Sequence, residues 1–203
     1  MYTPEPFLPK SEESVFEIIT NHPFAAMVST HHNEFRTTHL PLLLSEDKKF
    51  LIGHMAKQNP QTNLKDGEIV LCIFSGPHCY ISSSWYETEK SVPTWNYIAA
   101  HITGSYRTIT DPFRIKNSLT NMIQNFENPN SKLNLDNIDQ NYIQNLMKGI
   151  TTFEIQIQKV EGKEKLSQNH SRLRQIKVIE ELEKIDSENE KSIARLMRLN
   201  LDK

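Results

Sequence analysis

The chain has 203 residues, a net charge of −2 and a charged fraction of 24%. That is enough for one domain with a real core, and too little positive charge to draw nucleic acid to the whole surface. No apolar run reaches membrane-spanning length. The first residues lack the basic-then-apolar pattern of a secretory signal. Cys72 and Cys79, the only cysteines, form neither a CxxC pair nor a zinc set, which points to reduced thiols in a cytoplasmic protein.

Ser11 is placed to cap a helix running to Asn21, with Glu12 and Glu13 in its first turn and Val15, Phe16, Ile18 and Ile19 inward. Residues 24–30 read as a strand, and 35–44 as a second after the polar turn His31-His32-Asn33-Glu34. In that second strand Leu40, Leu42 and Leu44 alternate inward, and Pro41 implies an edge or a bulge. Residues 49–54 form a third strand. Residues 68–75 read as a buried strand that stops at Gly76-Pro77, a corner or bulge before another strand over 78–83.

Residues 94–109 read as one long strand. Asp111-Pro112 starts a helix with Phe113, Ile115, Leu119, Met122, Ile123 and Phe126 at helical period. An Asn-rich loop over 128–137 leads to a short helix with Tyr142, Ile143, Leu146 and Met147 inward, stopped by Gly149. Phe153, Ile155 and Ile157 then alternate with Glu154, Gln156 and Gln158, the pattern of a half-buried strand. Glu161-Gly162 reads as a turn into a last strand over 164–167. The tail from Ser171 is helical, with Leu173, Ile176, Ile179 and Leu182 in one stripe. A second helix follows the capping box Ser187-Glu188-Asn189-Glu190. Together these elements make a mainly β protein with α additions, a small antiparallel barrel with flanking helices and a C-terminal helical tail.

Both tryptophans lie among Pro, Ser, Thr and Asn rather than among aliphatic residues, in 76–86 and 92–97. A Trp in such company has an apolar face to bury and an N–H to satisfy. This composition serves either the wall of a flat, polar-edged ligand or a well-tied turn at a sheet corner. The eight histidines show no HExxH, HxH or zinc spacing, and the six glycines form neither a dinucleotide fingerprint nor a P-loop. Ser82, Ser83 and Ser84 lack a nucleophile-elbow context. No catalytic acid, base, nucleophile or metal ligand is assigned.

Several strings, in order, resemble the PaiB-type FMN-binding regulators, a branch of the FMN-binding split-barrel proteins related to pyridoxamine-phosphate oxidases. They are Met1-Tyr2-Thr3-Pro4, Asn21-His22-Pro23, residues 39–44 (HLPLLL), 53–60 (GHMAKQNP), 76–86 (GPHCYISSSWY), 92–97 (VPTWNY) and 165–169 (KLSQN). The resemblance implies an antiparallel split barrel over 1–170 and a helical extension over 171–203 packed on the barrel or on a dimer partner. It implies FMN as cofactor and a homodimer with cofactor sites at its interface. Lys57, with His54 and Asn59, falls where such proteins hold the FMN phosphate. Thr38, His39, Leu40 and Pro41 match the strand that lies along the flavin ring. Trp95, Asn96 and Tyr97 would come from the partner subunit or the far wall. Lys165, Gln168 and Asn169 match the basic C-terminal strand. Related chains usually carry Arg where Lys57 and His170 stand, Ala at Gln58 and Pro at Ser83. A lysine offers a point charge where arginine offers a fork, and a histidine titrates near neutral pH.

The function the resemblance implies is negative regulation of transcription, linked in bacilli to protease production and sporulation. Lys191, Arg195 and Arg198 on the last helix are the candidate DNA contacts, although cations near a helix C-terminus also complement its dipole. The alternative is an FMN-dependent oxidoreductase acting on a small molecule without direct DNA binding. A third reading is a slot for haem or a pyridoxal derivative, with His39 or His54 as axial ligand to haem.

Overall fold

The computed structural model describes residues 1–88, 90–128, 144–145 and 147–201. Seven strands form one sheet: β1 (Phe24–His31), β2 (Glu34–Pro41), β3 (Leu43–Leu44), β4 (Phe50–Ala56), β5 (Ile69–Ile81), β6 (Thr94–Ile109) and β7 (Ile150–Lys165). Four helices are bounded among the described residues, α1 (Glu12–Asn21), α2 (Pro112–Phe126), α3 (Arg172–Lys184) and α4 (Glu188–Leu201), and residues 144–145 and 147–148 are also helical. The strand order is β2-β1-β5-β6-β7-β4-β3. The Cα trace divides into two compact units.

The barrel unit comprises Pro23–Ile73 and Ile102–Lys159 and holds a piece of all seven strands. β1 and β2 form a hairpin whose two-residue loop, His32 and Asn33, has positive φ at both positions, the geometry that matches strand twist. The first and last strands of the order, β2 and β3, are separated in sequence only by Leu42. The sheet therefore closes on itself, and β2 lies against β4. Closure explains why 35–44 is two strands rather than one. Leu42 is fully buried, and its N–H bonds to the Pro23 carbonyl instead of continuing the ladder. Gly53 makes room for this crossing: a methyl group there would come within 2.6 Å of Leu42 Cδ2 and 3.2 Å of the Phe153 ring. Alternate residues of the strands fill the interior, among them Met27, Leu51, Cys72, Ile102, Tyr106 and Phe153. The Tyr106 and Phe153 rings stack at 5.1 Å.

β7 departs from its expected alternation. Glu154 is buried because α2 reaches it: Arg114 donates to its carboxylate at 2.5 Å and Arg107 stands 4.0 Å away. Arg114, Ser118 and Met122 occupy one stripe of α2, so Phe113 and Phe126, part of the apolar helical period, are exposed. Asp111 caps α2 by accepting from the Phe113 N–H. The expected inward residues Tyr142, Ile143 and Leu146, and most of the Asn-rich loop, lie outside the described residues.

The helical unit comprises Met1–His22, Phe74–His101 and Val160–Lys203. Ser11 caps α1 by accepting from the Ser14 N–H, and Val15, Phe16, Ile18 and Ile19 are buried as expected. Ser171 caps α3 in the same way. Leu173 of the anticipated stripe is exposed; Val178, Ile179 and Leu182 carry the burial. Two expected breaks are absent. β5 runs unbroken through Gly76-Pro77, where its in–out alternation changes phase because both residues are buried. β7 runs through Gly162, whose missing side chain admits Pro9 and Val15; a methyl group would lie 2.6 Å from each. A glycine that reads as a turn in sequence is here a point of close approach.

Candidate functional site

The predicted residues fall into two sets, one in each unit. In the barrel unit, β2 is the first strand of the order and exposes Thr37 and His39, while Leu40 is buried. The His39 ring stacks on the exposed Phe24 at 6.3 Å. β4 continues to Ala56, and Lys57 and Gln58 form an exposed turn closed by the Asn59 N–H donating to the Ala56 carbonyl. The chain then enters a single 3₁₀ turn, Pro60–Asn63. Asn59 ties this turn down. Its Oδ1 accepts from the Gln61 N–H at 2.9 Å, and its Nδ2 donates to Thr38 Oγ1 at 2.8 Å. The Lys57 ammonium, by contrast, makes no hydrogen bond or ion pair with another described residue. His54, on β4 opposite Thr152, has a buried Nδ1 without a partner, and burial pulls its pKa below the usual 6.5.

Sequence reasoning misses the residue that fixes this geometry. Gln61 is buried, and its Nε2 donates to Ser29 Oγ at 2.8 Å and to the Arg36 and Met27 carbonyls. It joins the turn after β4 to the β1–β2 hairpin. A Gln after Asn-Pro in a polar loop reads as surface, and no local signal marks it otherwise.

In the helical unit, Trp95 is 53% exposed and lies beside Tyr80 and His78, each 6.2 Å away between ring centroids. Asn96 points the other way and is fully buried. Its Nδ2 donates to Ser167 Oγ at 2.9 Å, and Ser167 Oγ lies 3.2 Å from Asn96 Oδ1. Ser167 holds a left-handed backbone (φ 65°), unusual for a residue other than glycine. The Tyr97 ring faces the Lys163 ammonium at 5.4 Å. Lys165 donates to Thr94 Oγ1 and to the Trp95 carbonyl, and burial, aided by the charge of Lys163, lowers its pKa. Gln168 is folded onto its own backbone, accepting from the Leu166 N–H and donating to the Glu164 carbonyl.

Lys165, Asn96, Asn169 and His170 line a hollow of about 220 Å³ closed by Ser91, Pro93 and Thr94. Next to His170 stands a residue the sequence reading passed over. Arg174 approaches His170 at 3.4 Å, lies over the Tyr86 ring at 4.7 Å and pairs with Glu87 at 2.9 Å. A permanent cation thus stands one helical turn beyond the titratable His170. Burial first, then the charges of Arg174 and Lys165, hold the pKa of His170 down against the pull of Glu87.

The first 159 residues match the family model described as "Putative FMN-binding domain". The chain belongs to this FMN-binding family. It is 34% identical over 207 residues to the "Protease synthase and sporulation protein PAI 2" of Bacillus subtilis (strain 168), covering 100% of this chain and 99% of that one. Solved structures sharing its fold include the flavocytochrome Anf3 from Azotobacter vinelandii (TM-score 0.61, 11% identity, 78% of this chain and 69% of that chain). Another is the FAD and heme binding protein from Mycobacterium smegmatis (TM-score 0.55, 10% identity, 77% and 72%). The fold is mainly β, an antiparallel split barrel with flanking helices, and FMN is the cofactor of the family. The residues present fit that group. An unpaired lysine beside a tight turn suits a phosphate dianion. The exposed Thr37 and His39 of β2 offer polar groups to the rim of a flavin. Among the described residues no His, Cys, Asp or Glu cluster suits a metal, and no helix is long and apolar enough to cross a membrane. Both cysteines are buried, and the Cys79 thiol is pushed up to about 12 by burial and then by Glu190.

Proposed function

We propose that this chain is a PaiB-type FMN-binding negative regulator of transcription that works in the cytoplasm as a homodimer with cofactor sites at its interface. The full-length similarity to a sporulation protein carries this reading. Lys57 supplies the charge for the FMN phosphate, with the main chain of its turn. The β2 main chain at Thr38, His39, Leu40 and Pro41 lies along the flavin ring, and His54 adds a neutral imidazole. Asn59 serves by holding Thr38 in place. Trp95, Tyr97, Lys165 and Asn169 form the second binding surface, and Asn96 and Gln168 position it through Ser167 and Leu166. Bound FMN supplies hydride or single-electron chemistry; the chain binds, orients and shields it.

One observation favours the oxidoreductase alternative over direct DNA contact. Of the cations on α4, Lys191 pairs with Asp186 and Arg198 with Glu183, which leaves Arg195 to meet a phosphate backbone without giving up a partner. The test is the visible spectrum of the purified protein with identification of the extracted flavin. A colourless protein that takes up no FMN on titration ends both readings. With FMN bound, salt-sensitive promoter binding supports the regulator, and consumption of NAD(P)H without DNA binding supports the enzyme.

A further inference from the structure

The helical unit contains a second hollow, about 460 Å³ in volume, that has no part in the cofactor reading. Two helices wall it with matching stripes. α1 presents Ser14, Glu17, Ile18 and Asn21, and α4 presents Ser192, Arg195, Leu196, Leu199 and Asn200, spaced in each case as one helical face. Ile98 and Leu166 form an apolar floor. Helices that merely pack bury apolar stripes against each other. These two hold mixed stripes around a void of ligand size.

Several polar side chains around it have no partner among the described residues. The side chains of Lys10, Glu17, Asn21, Arg195 and Asn200 form no hydrogen bond or ion pair with another described residue, whereas Glu164 at the same rim is already engaged within the protein. The charged side chains around it, Lys10 and Arg195 against Glu17 and Glu164, balance, so the case for an anion rests on Arg195, whose guanidinium has no partner among the described residues. His22, half-buried with its pKa lowered by burial, adds no charge at neutral pH. Leu199 is 53% exposed, an apolar surface beside a guanidinium with no anion.

We infer that this hollow is a second ligand site, built for a small amphipathic carboxylate. Arg195 takes the head group through its forked N–H donors. The apolar body lies over Ile98, Leu166, Leu196 and Leu199. Such a ligand bridges the first helix and the last, and so ties α4 to α1.

Octanoate is the probe, titrated calorimetrically into the full-length, FMN-loaded protein, with hydrogen exchange of α4 followed in parallel. The expected result is saturable binding that slows exchange in α4 and leaves the flavin spectrum unchanged. Arg195→Gln should weaken binding about tenfold or more. Leu199→Glu, at an exposed position where folding tolerates charge, should do the same by setting a carboxylate where the apolar body lies. Octylamine should bind more weakly than octanoate. Absence of saturable octanoate binding overturns the inference, as does equal affinity in both variants or a preference for octylamine. Loss of FMN binding would be read separately from the visible spectrum and bears only on the cofactor reading.

Discussion

The two sets of candidate residues differ in how far the protein has already used them. In the barrel unit Lys57 has no described partner and His54 keeps a buried nitrogen unsatisfied. In the helical unit Lys165 holds Thr94 and the Trp95 carbonyl, Asn96 is closed in a ring of hydrogen bonds with Ser167, and Gln168 is bound to its own backbone. A polar group without a partner gains the full worth of a ligand contact, whereas a committed one must first break what it holds. On that ground we propose that Lys57 and His54 bind, while Asn59 and most of the helical-unit set position.

The strongest test of that contrast compares two lysines. Lys57→Ala should weaken FMN binding by about tenfold to a hundredfold, the loss of a charge-assisted contact to phosphate. Lys165→Ala should cost less than that, since its ammonium is committed within the fold. A flavin titration in which Lys165→Ala does the greater damage would reverse the assignment of roles. Next in size is Asn96→Ala. It strips Ser167 of its partner inside the core and should lower stability by about 1–3 kcal/mol in denaturant unfolding. FMN affinity in the protein that remains folded should fall only slightly. If affinity collapses while stability holds, Asn96 touches the cofactor after all.

The sequence announces what local chemistry decides. The limits of β6, the caps Ser11, Asp111 and Ser171, and the hairpin turn at His32-Asn33 are written in neighbouring residues. What stayed hidden depends on partners distant in the chain. Gly162 looks like a turn until Pro9 and Val15 are seen against it. Residues 35–44 look like one strand until closure sends Leu42 to Pro23. Glu154 looks solvated until Arg114 reaches it. The candidate site residues divide the same way. The strings around Lys57 and Trp95 are visible as strings, but Gln61 and Arg174 act through contacts to Arg36 and Glu87 that no local pattern encodes.

A smaller effect is expected at Trp95. Its exposed ring, with Tyr80 and His78 beside it, is the one aromatic member of the second set free to stack. Trp95→Ala should reduce FMN affinity or dimer affinity roughly two- to tenfold, the worth of an aromatic contact. Flavin titration and sedimentation at several concentrations read the two effects. If neither moves, Trp95 is a corner residue, and the second set positions without binding.

The smallest expected effect is the pH dependence that His54 gives to stability. Burial lowers its folded-state pKa below the 6.5 of an unfolded chain. Between those values the unfolded state binds more protons, so stability rises with pH there. The contribution is fully present above about pH 6.5 and is lost as pH falls through the folded-state value. His54→Gln, which keeps a polar group but cannot titrate, should flatten the stability–pH curve below neutrality relative to the parent. His22, His101 and His170 also have lowered pKa values, so the parent slope has several sources and only the difference between the two proteins reports on His54. FMN sharpens the reading. A phosphate dianion near His54 favours the imidazolium, so loading the cofactor should shrink that difference if the phosphate sits beside Lys57. A difference that persists unchanged with FMN bound would put the phosphate elsewhere.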